Sequence, residues 1–75
     1  MKREWLISSR KKRKLTQYDA ASMIVISRSF YNQIESGERN PSSPVALRIA
    51  NFYGFNMSKF YYLESCNNQY FREVN

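Results

Sequence analysis

The chain has 75 residues, 43% of them hydrophobic and 16% aromatic. That is too apolar for a disordered chain and too short for a second sizeable domain. One cysteine, Cys66, can form no internal disulfide, and the absence of histidine removes the common zinc sites and the Ser/His and Cys/His catalytic pairs, so no enzyme, metal or cofactor is expected. The net charge of +6 is lopsided, because residues 1–14 hold Lys2, Arg3, Arg10, Lys11, Lys12, Arg13 and Lys14 against Glu4 alone, while the charges after Lys14 balance.

The first segment, from about Arg3 to Arg13, has no proline or glycine and carries its apolar positions at Trp5, Leu6 and Ile7. It predicts a helix. The "RKKRK" run at its end suits the negative end of the helix dipole, so a solvated helix terminus accounts for it as well as an anionic partner does. Thr16, with Asp19 three residues on, resembles a capping box and opens a second helix over "QYDAASMI". Ala20, Ala21 and Ile24 recur there at helical spacing, and the alanines permit close approach of another helix.

Ser27 caps a third helix after a tight connection of two residues, and Ile26 and Tyr31 occupy the two positions of a hydrophobic staple. Gly37 supplies the left-handed residue that ends this helix near Ser36, and Pro41 prevents its resumption. A fourth helix is predicted with Ser43 as its cap and Pro44 at its first position. Val45, Ala46, Ile49, Ala50 and Tyr53 form its buried stripe, closed by Gly54. A shorter fifth helix is expected over 57–63, packing through Phe60, Tyr61 and Leu63. The tail from residue 66 to 75 has no clean period. Apolar runs no longer than "MIVI" at 23–26 leave no membrane span or signal peptide to expect, and the cytoplasm is the expected compartment.

At 100° per residue, Arg28, Ser29, Asn32, Gln33 and Ser36 share one side of the third helix, with Phe30, Tyr31 and Ile34 opposite. An Arg, an Asn and a Gln can each make paired hydrogen bonds to base edges in the DNA major groove. A plain solvated face remains the alternative, although such faces favour Lys and Glu, and neither occurs between Arg28 and Ile34.

The order of these features resembles the Cro/repressor-type helix-turn-helix regulators. The resemblance runs over residues 6–63 and is strongest in "LTQYDAASMIVISRSFYNQIESGERNPS" and "ALRIANFYGF". It is carried by Leu15, Thr16 and Gln17 opening the second helix, Ala21 within it and Ser27 before the third. Tyr31, Ile34, Glu35 and Gly37 follow in the third, and then Asn40, Pro41 and Ser42. The resemblance implies an all-α, compact five-helix, lambda-repressor-like DNA-binding domain over residues 1–65, followed by the tail. It places the third helix in the major groove.

On that basis Arg28, Ser29, Asn32 and Gln33 are expected to read bases. Gln17, Ser27, Arg39, Asn40, Ser42, Lys11 and Lys14 are expected to hold phosphates. Arg10 and Glu35 match positions where an ion pair joins the first and third helices. Three departures stand out. Such regulators usually have Gly in place of Val25, so the turn is expected to differ in detail. They also have a large apolar residue in place of Ser9 and a small polar one in place of Phe30, which is expected to pack.

The expected function is a sequence-specific double-stranded DNA-binding regulator, a small phage or bacterial Cro-like repressor. It is expected to act as a homodimer on a palindromic operator, joined through the fifth helix and the aromatic tail, with no membrane or small-molecule partner. The competing reading is a protein-interaction module on the same fold, using its aromatics against an antirepressor or antitoxin-like partner.

Overall fold

The computed structural model describes residues 2–61. Four helices run in order, α1 (Glu4–Lys12), α2 (Gln17–Ile24), α3 (Arg28–Ser36) and α4 (Ser43–Tyr53), and residues 59–61 open the fifth. Residues 62–65, with the Leu63 packing expected there, the 66–75 tail and the aromatic dimer surface expected on them lie outside the described residues.

Each boundary has a local cause. Glu4 sits in the first turn of α1, and Arg10, Lys11 and Lys12 occupy its last, each at the dipole end that favours its charge. The helix stops where Lys14 takes φ 56°, with the Leu15 amide bonded back to the Arg10 carbonyl at 3.3 Å and the Lys14 amide to that of Lys11 at 2.9 Å. This is a Schellman ending built on lysine instead of glycine. The capping box at α2 is complete. Thr16 Oγ1 accepts from the Asp19 amide at 3.0 Å, and Asp19 Oδ2 accepts from the Thr16 amide at 3.2 Å.

Ser27 Oγ likewise accepts from the Phe30 amide at 3.0 Å, and α3 ends at Gly37 with φ 86°. The fourth helix begins one residue earlier than expected. Ser42 is its cap and Ser43 its first residue, which moves Pro44 to the second position, where the amide it lacks has no intrahelical acceptor either.

The core takes Leu6 from α1, Ala20, Ala21 and Ile24 from α2, and Tyr31 and Ile34 from α3. Ala46, Ile49 and Tyr53 of α4 join them, with Phe60 at one end. Trp5 meets the edges or faces of Phe55 and Phe60 with both centroid separations at 5.1 Å, so α1 and the chain after α4 close over one another through aromatic contact. Phe60 packs as expected, but Tyr61 points out and is 43% exposed. Phe30 is partly buried against the core.

The turn between α2 and α3 corrects another expectation. Val25 does not avoid the left-handed region in which glycine is usual; it occupies it, with φ 68° and ψ 52°. The amides of Val25 and Ile26 reach the carbonyls of Ser22 and Ala21 at 3.2 and 3.0 Å, so the turn keeps its Schellman bonds despite the β-branched side chain. Steric strain of this kind costs about 1–2 kcal/mol. Two features offset it. The side chain is 76% exposed, and Arg48 of α4 donates Nε to the Ile24 carbonyl at 3.1 Å and a terminal nitrogen to the Val25 carbonyl at 2.9 Å. A cation thereby satisfies the negative end of α2.

Replacing Val25 by Gly is expected to relieve the strain and raise stability by about 1 kcal/mol. Arg48→Met is expected to lower it by about 1.5–3 kcal/mol by removing two charge-assisted bonds. Urea denaturation of the two variants beside the parent protein measures both changes, and a Val25→Gly protein less stable than the parent refutes the strain.

Candidate nucleic-acid interface

The two sides of α3 differ sharply. Tyr31, Ile34 and Glu35 are buried. Arg28, Ser29 and Asn32 are exposed, and Gln33 is half-buried. A helix with one buried side and one exposed side of Arg, Ser, Asn and Gln is anchored from behind and leaves forked hydrogen-bonding groups in front.

The anchor is Glu35, a carboxylate only 2% exposed. Arg10 of α1 donates Nε to Glu35 Oε2 at 2.7 Å and NH2 to Oε1 at 3.3 Å, and its NH1 donates to the Leu15 carbonyl at 2.9 Å. The bond to Glu35 holds the Arg10 guanidinium above its ordinary value, against the opposing effect of desolvation. Gln17, the first residue of α2, donates Nε2 to Glu35 Oε1 at 3.0 Å. One carboxylate therefore joins the three helices. Deeper in, the hydroxyls of Tyr31 and Tyr53 share a hydrogen bond of 2.6 Å. Burial, then that bond, pushes the Tyr31 phenol far above its ordinary value, and burial also raises Tyr53.

Gln17 also reaches forward, donating Nε2 to Asn32 Oδ1 at 2.9 Å. Its amide nitrogen is therefore occupied inside the protein. A groove of about 250 Å³ lies at this junction, lined by Lys2, Ile7, Arg10, Lys11, Gln17, Asn32, Glu35 and Ser36. It brings Lys11, Gln17 and Asn32 together and adds Lys2, which sequence reasoning counted only as charge. Ser27 and Lys14 are exposed in the connections before α3 and after α1, outside this groove.

The loop after α3 is held by Arg3. This side chain is 2% exposed. Its NH1 donates to the carbonyls of Ile34 at 2.5 Å and Arg39 at 3.2 Å, and its NH2 donates to Asn40 Oδ1 at 2.6 Å. The guanidinium also lies 5.4 Å from the Phe60 ring centroid. Asn40 can thus offer a phosphate only its NH2 donors. Exposed Arg39 stacks over Phe30 at 5.2 Å, so the unexpected aromatic at position 30 serves as a platform for a cation. Ser42 is exposed at the α4 cap, with no side-chain capping bond.

These contacts correct the reading of the basic segment. Arg3 and Arg10 are internal, and Arg13 donates to the Tyr53 carbonyl at 3.0 Å while lying over the Tyr53 ring. What faces outward is Lys2, Lys11, Lys12 and Lys14, together with Arg13, whose side chain is tied to the end of α4 but exposed. Arg3, Arg13 and Arg48 have structural roles that periodicity could not reveal, since their partners lie 23–40 residues away. The surface combines lysines suited to phosphate oxygens with a helix carrying Arg, Ser, Asn and Gln suited to base edges.

Comparison with known proteins agrees with this geometry. A family model described as helix-turn-helix matches residues 6–60. The chain is also 36% identical over 61 residues to an uncharacterized HTH-type transcriptional regulator, YqaF, of Bacillus subtilis (strain 168), a match covering 81% of this chain and 80% of that protein.

Two outcomes follow from the buried polar groups. Arg10→Ala or Glu35→Ala is expected to destabilise the fold by about 3–5 kcal/mol, because the remaining partner is stranded, whereas replacing both by apolar residues of similar volume recovers most of the loss. Thermal denaturation of the two single variants and the double variant decides this. The tyrosine pair predicts an alkaline limit to stability. Both folded values are raised, so below the unfolded value near 10 both states are protonated and the contribution is complete. Above it the unfolded chain releases protons that the folded one retains, and stability falls by about 1.4 kcal/mol per pH unit for each tyrosine. Urea titrations between pH 9 and 11 are expected to show this fall, and Tyr31→Phe is expected to make it shallower.

Proposed function

The chain belongs to the Cro/repressor-type family of helix-turn-helix transcriptional regulators, and from that premise we propose that it is a sequence-specific double-stranded DNA-binding repressor. It places α3 in the major groove and acts as a homodimer on a palindromic operator. The observation that carries this reading is the outward side of α3, where Arg28, Ser29, Asn32 and Gln33 stand on a helix whose other side is locked to α1 and α2 through Glu35. Rigid support matters because base discrimination depends on forked groups meeting base edges at fixed angles.

Phosphate contacts set the register of such a helix and supply affinity through counterion release. Lys11 and Lys14 bring charge from the end of α1. Ser27 and Ser42 bring hydroxyls from the starts of α3 and α4, where unpaired backbone amides also favour anions. Arg39 brings a guanidinium parked on Phe30, and Asn40 its amide nitrogen. Gln17 contributes less directly, since its Nε2 is committed to Glu35 and Asn32. Two copies related by a twofold axis would read half-sites about one helical turn, roughly 34 Å, apart. Occlusion of polymerase is the simplest consequence of such binding for transcription.

The test begins with an operator selected from random duplexes. Gln33→Ala is expected to relax preference at one base position, with a loss of about 1–3 kcal/mol on the selected site and little on random DNA. Lys11→Ala and Lys14→Ala are expected to weaken binding to every duplex and to lower the salt dependence by about one phosphate contact each. The parent protein is expected to bind the full palindrome far more tightly than a half-site. Equal loss on all sequences for Gln33→Ala refutes base reading there, and equal affinity for palindrome and half-site refutes the dimer.

A further inference from the structure

We propose that Gln17 is a specificity-positioning residue, which turns the Asn32 amide so that it offers only donors to DNA and so selects guanine over adenine at the base pair it faces. The inference rests on the reading of α3 as the base-reading helix. It concerns what that helix prefers.

An asparagine amide has an acceptor end and a donor end, and its usual pairing with adenine uses both, accepting from N6 and donating to N7. Here the acceptor end is turned inward. Asn32 Oδ1 receives a hydrogen bond from Gln17 Nε2 at 2.9 Å, which turns the oxygen toward α2. The same Nε2 gives its other hydrogen to Glu35 Oε1 at 3.0 Å. A reversed Gln17 would set its own carbonyl oxygen against the Glu35 carboxylate, which Arg10 holds in place from the other side at 2.7 and 3.3 Å. The orientation of an exposed amide is thus fixed by a buried ion pair two contacts away. Charge determines which end of Gln17 faces Glu35, and Gln17 determines which end of Asn32 faces outward.

What remains to Asn32 on the DNA side is its NH2 group. Guanine presents two acceptors in the major groove, O6 and N7, and matches it. Adenine presents the N6 donor beside N7, so a donor would meet a donor. Cytosine presents N4 as a donor and is disfavoured for the same reason, while thymine offers the single acceptor O4.

The experiment measures binding of the full chain to the selected operator and to duplexes carrying each of the four bases at every position of a half-site. The base pair read by Asn32 is identified as the one at which Asn32→Ala levels the four affinities. There the parent protein is expected to prefer guanine to adenine by roughly tenfold. Gln17→Met, which keeps the length of the side chain and removes its donor, is expected to bring that ratio close to one while preferences at other positions persist. Circular dichroism checks that the variant folds. Asn32→Asp leaves Gln17 intact and offers DNA only acceptors, and it is expected to move the preference to cytosine. A parent protein that prefers adenine there, an unchanged guanine-to-adenine ratio in a folded Gln17→Met, or an Asn32→Asp that keeps guanine overturns the proposal and leaves base reading by α3 standing. If Asn32→Ala alters no preference at any position, Asn32 does not read bases, and the proposal falls with that part of the functional reading.

Discussion

Glu35 is a negative charge placed where a small domain can least accommodate one unpartnered, and the surrounding architecture follows from satisfying it. Two of its contacts come from Arg10 and one from Gln17, so the carboxylate sets the spacing of α1, α2 and α3 at a single point. The Tyr31 and Tyr53 hydroxyls extend this polar centre toward α4. Buried ionic groups are poor sources of net stability but strong sources of definition, since a half-satisfied network costs more than an apolar core. For a helix that has to present side chains at fixed angles, that definition is the useful property.

The cationic residues divide into two working groups. Four arginines hold the fold together: Arg3 at the end of α3 and Arg10 at Glu35 from within, and Arg13 at the end of α4 and Arg48 at the end of α2 from the surface. Three of these meet backbone carbonyls at helix C-termini, where a planar guanidinium can satisfy more than one orphan acceptor while its charge opposes the dipole. Lysines at 2, 11, 12 and 14 are exposed, as are Arg28 and Arg39. The division has a physical basis, since an ammonium is strongly hydrated and resists burial. Net charge counts Arg3 and Arg10 with the surface, although the first is buried and the second is paired with Glu35.

Local signals were legible in the sequence wherever their cause was local. The capping box at Thr16, the cap at Ser27 and the glycine endings at residues 37 and 54 all act over a few residues, and the structure places them as expected. Helix 4 was misplaced by one residue because Ser42 and Ser43 are equally good caps and Pro44 is tolerated at either of the first two positions. At Val25 the turn keeps the left-handed geometry that was expected to differ, because its strain is offset by Arg48, 23 residues away. Of the candidate site, the side of α3 that faces out was legible from a helical period alone. The commitments of Gln17 and Asn40 to partners within the protein were not, because they depend on which groups the fold brings within 3 Å.

The turn at Val25 also bears on how far the recognition unit can stand alone. The segment from Thr16 to Gly37 has its own caps and its own turn, and it resembles a self-contained module. Yet the left-handed valine is held by a guanidinium from α4, the carboxylate behind α3 by one from α1, and the carbonyls at the end of α3 by Arg3. Cut free, the segment would keep its sequence signature and lose each of these ties. It is not a transferable cassette: grafting it onto another scaffold would require carrying three arginines that lie outside it, on α1, on α4 and before α1.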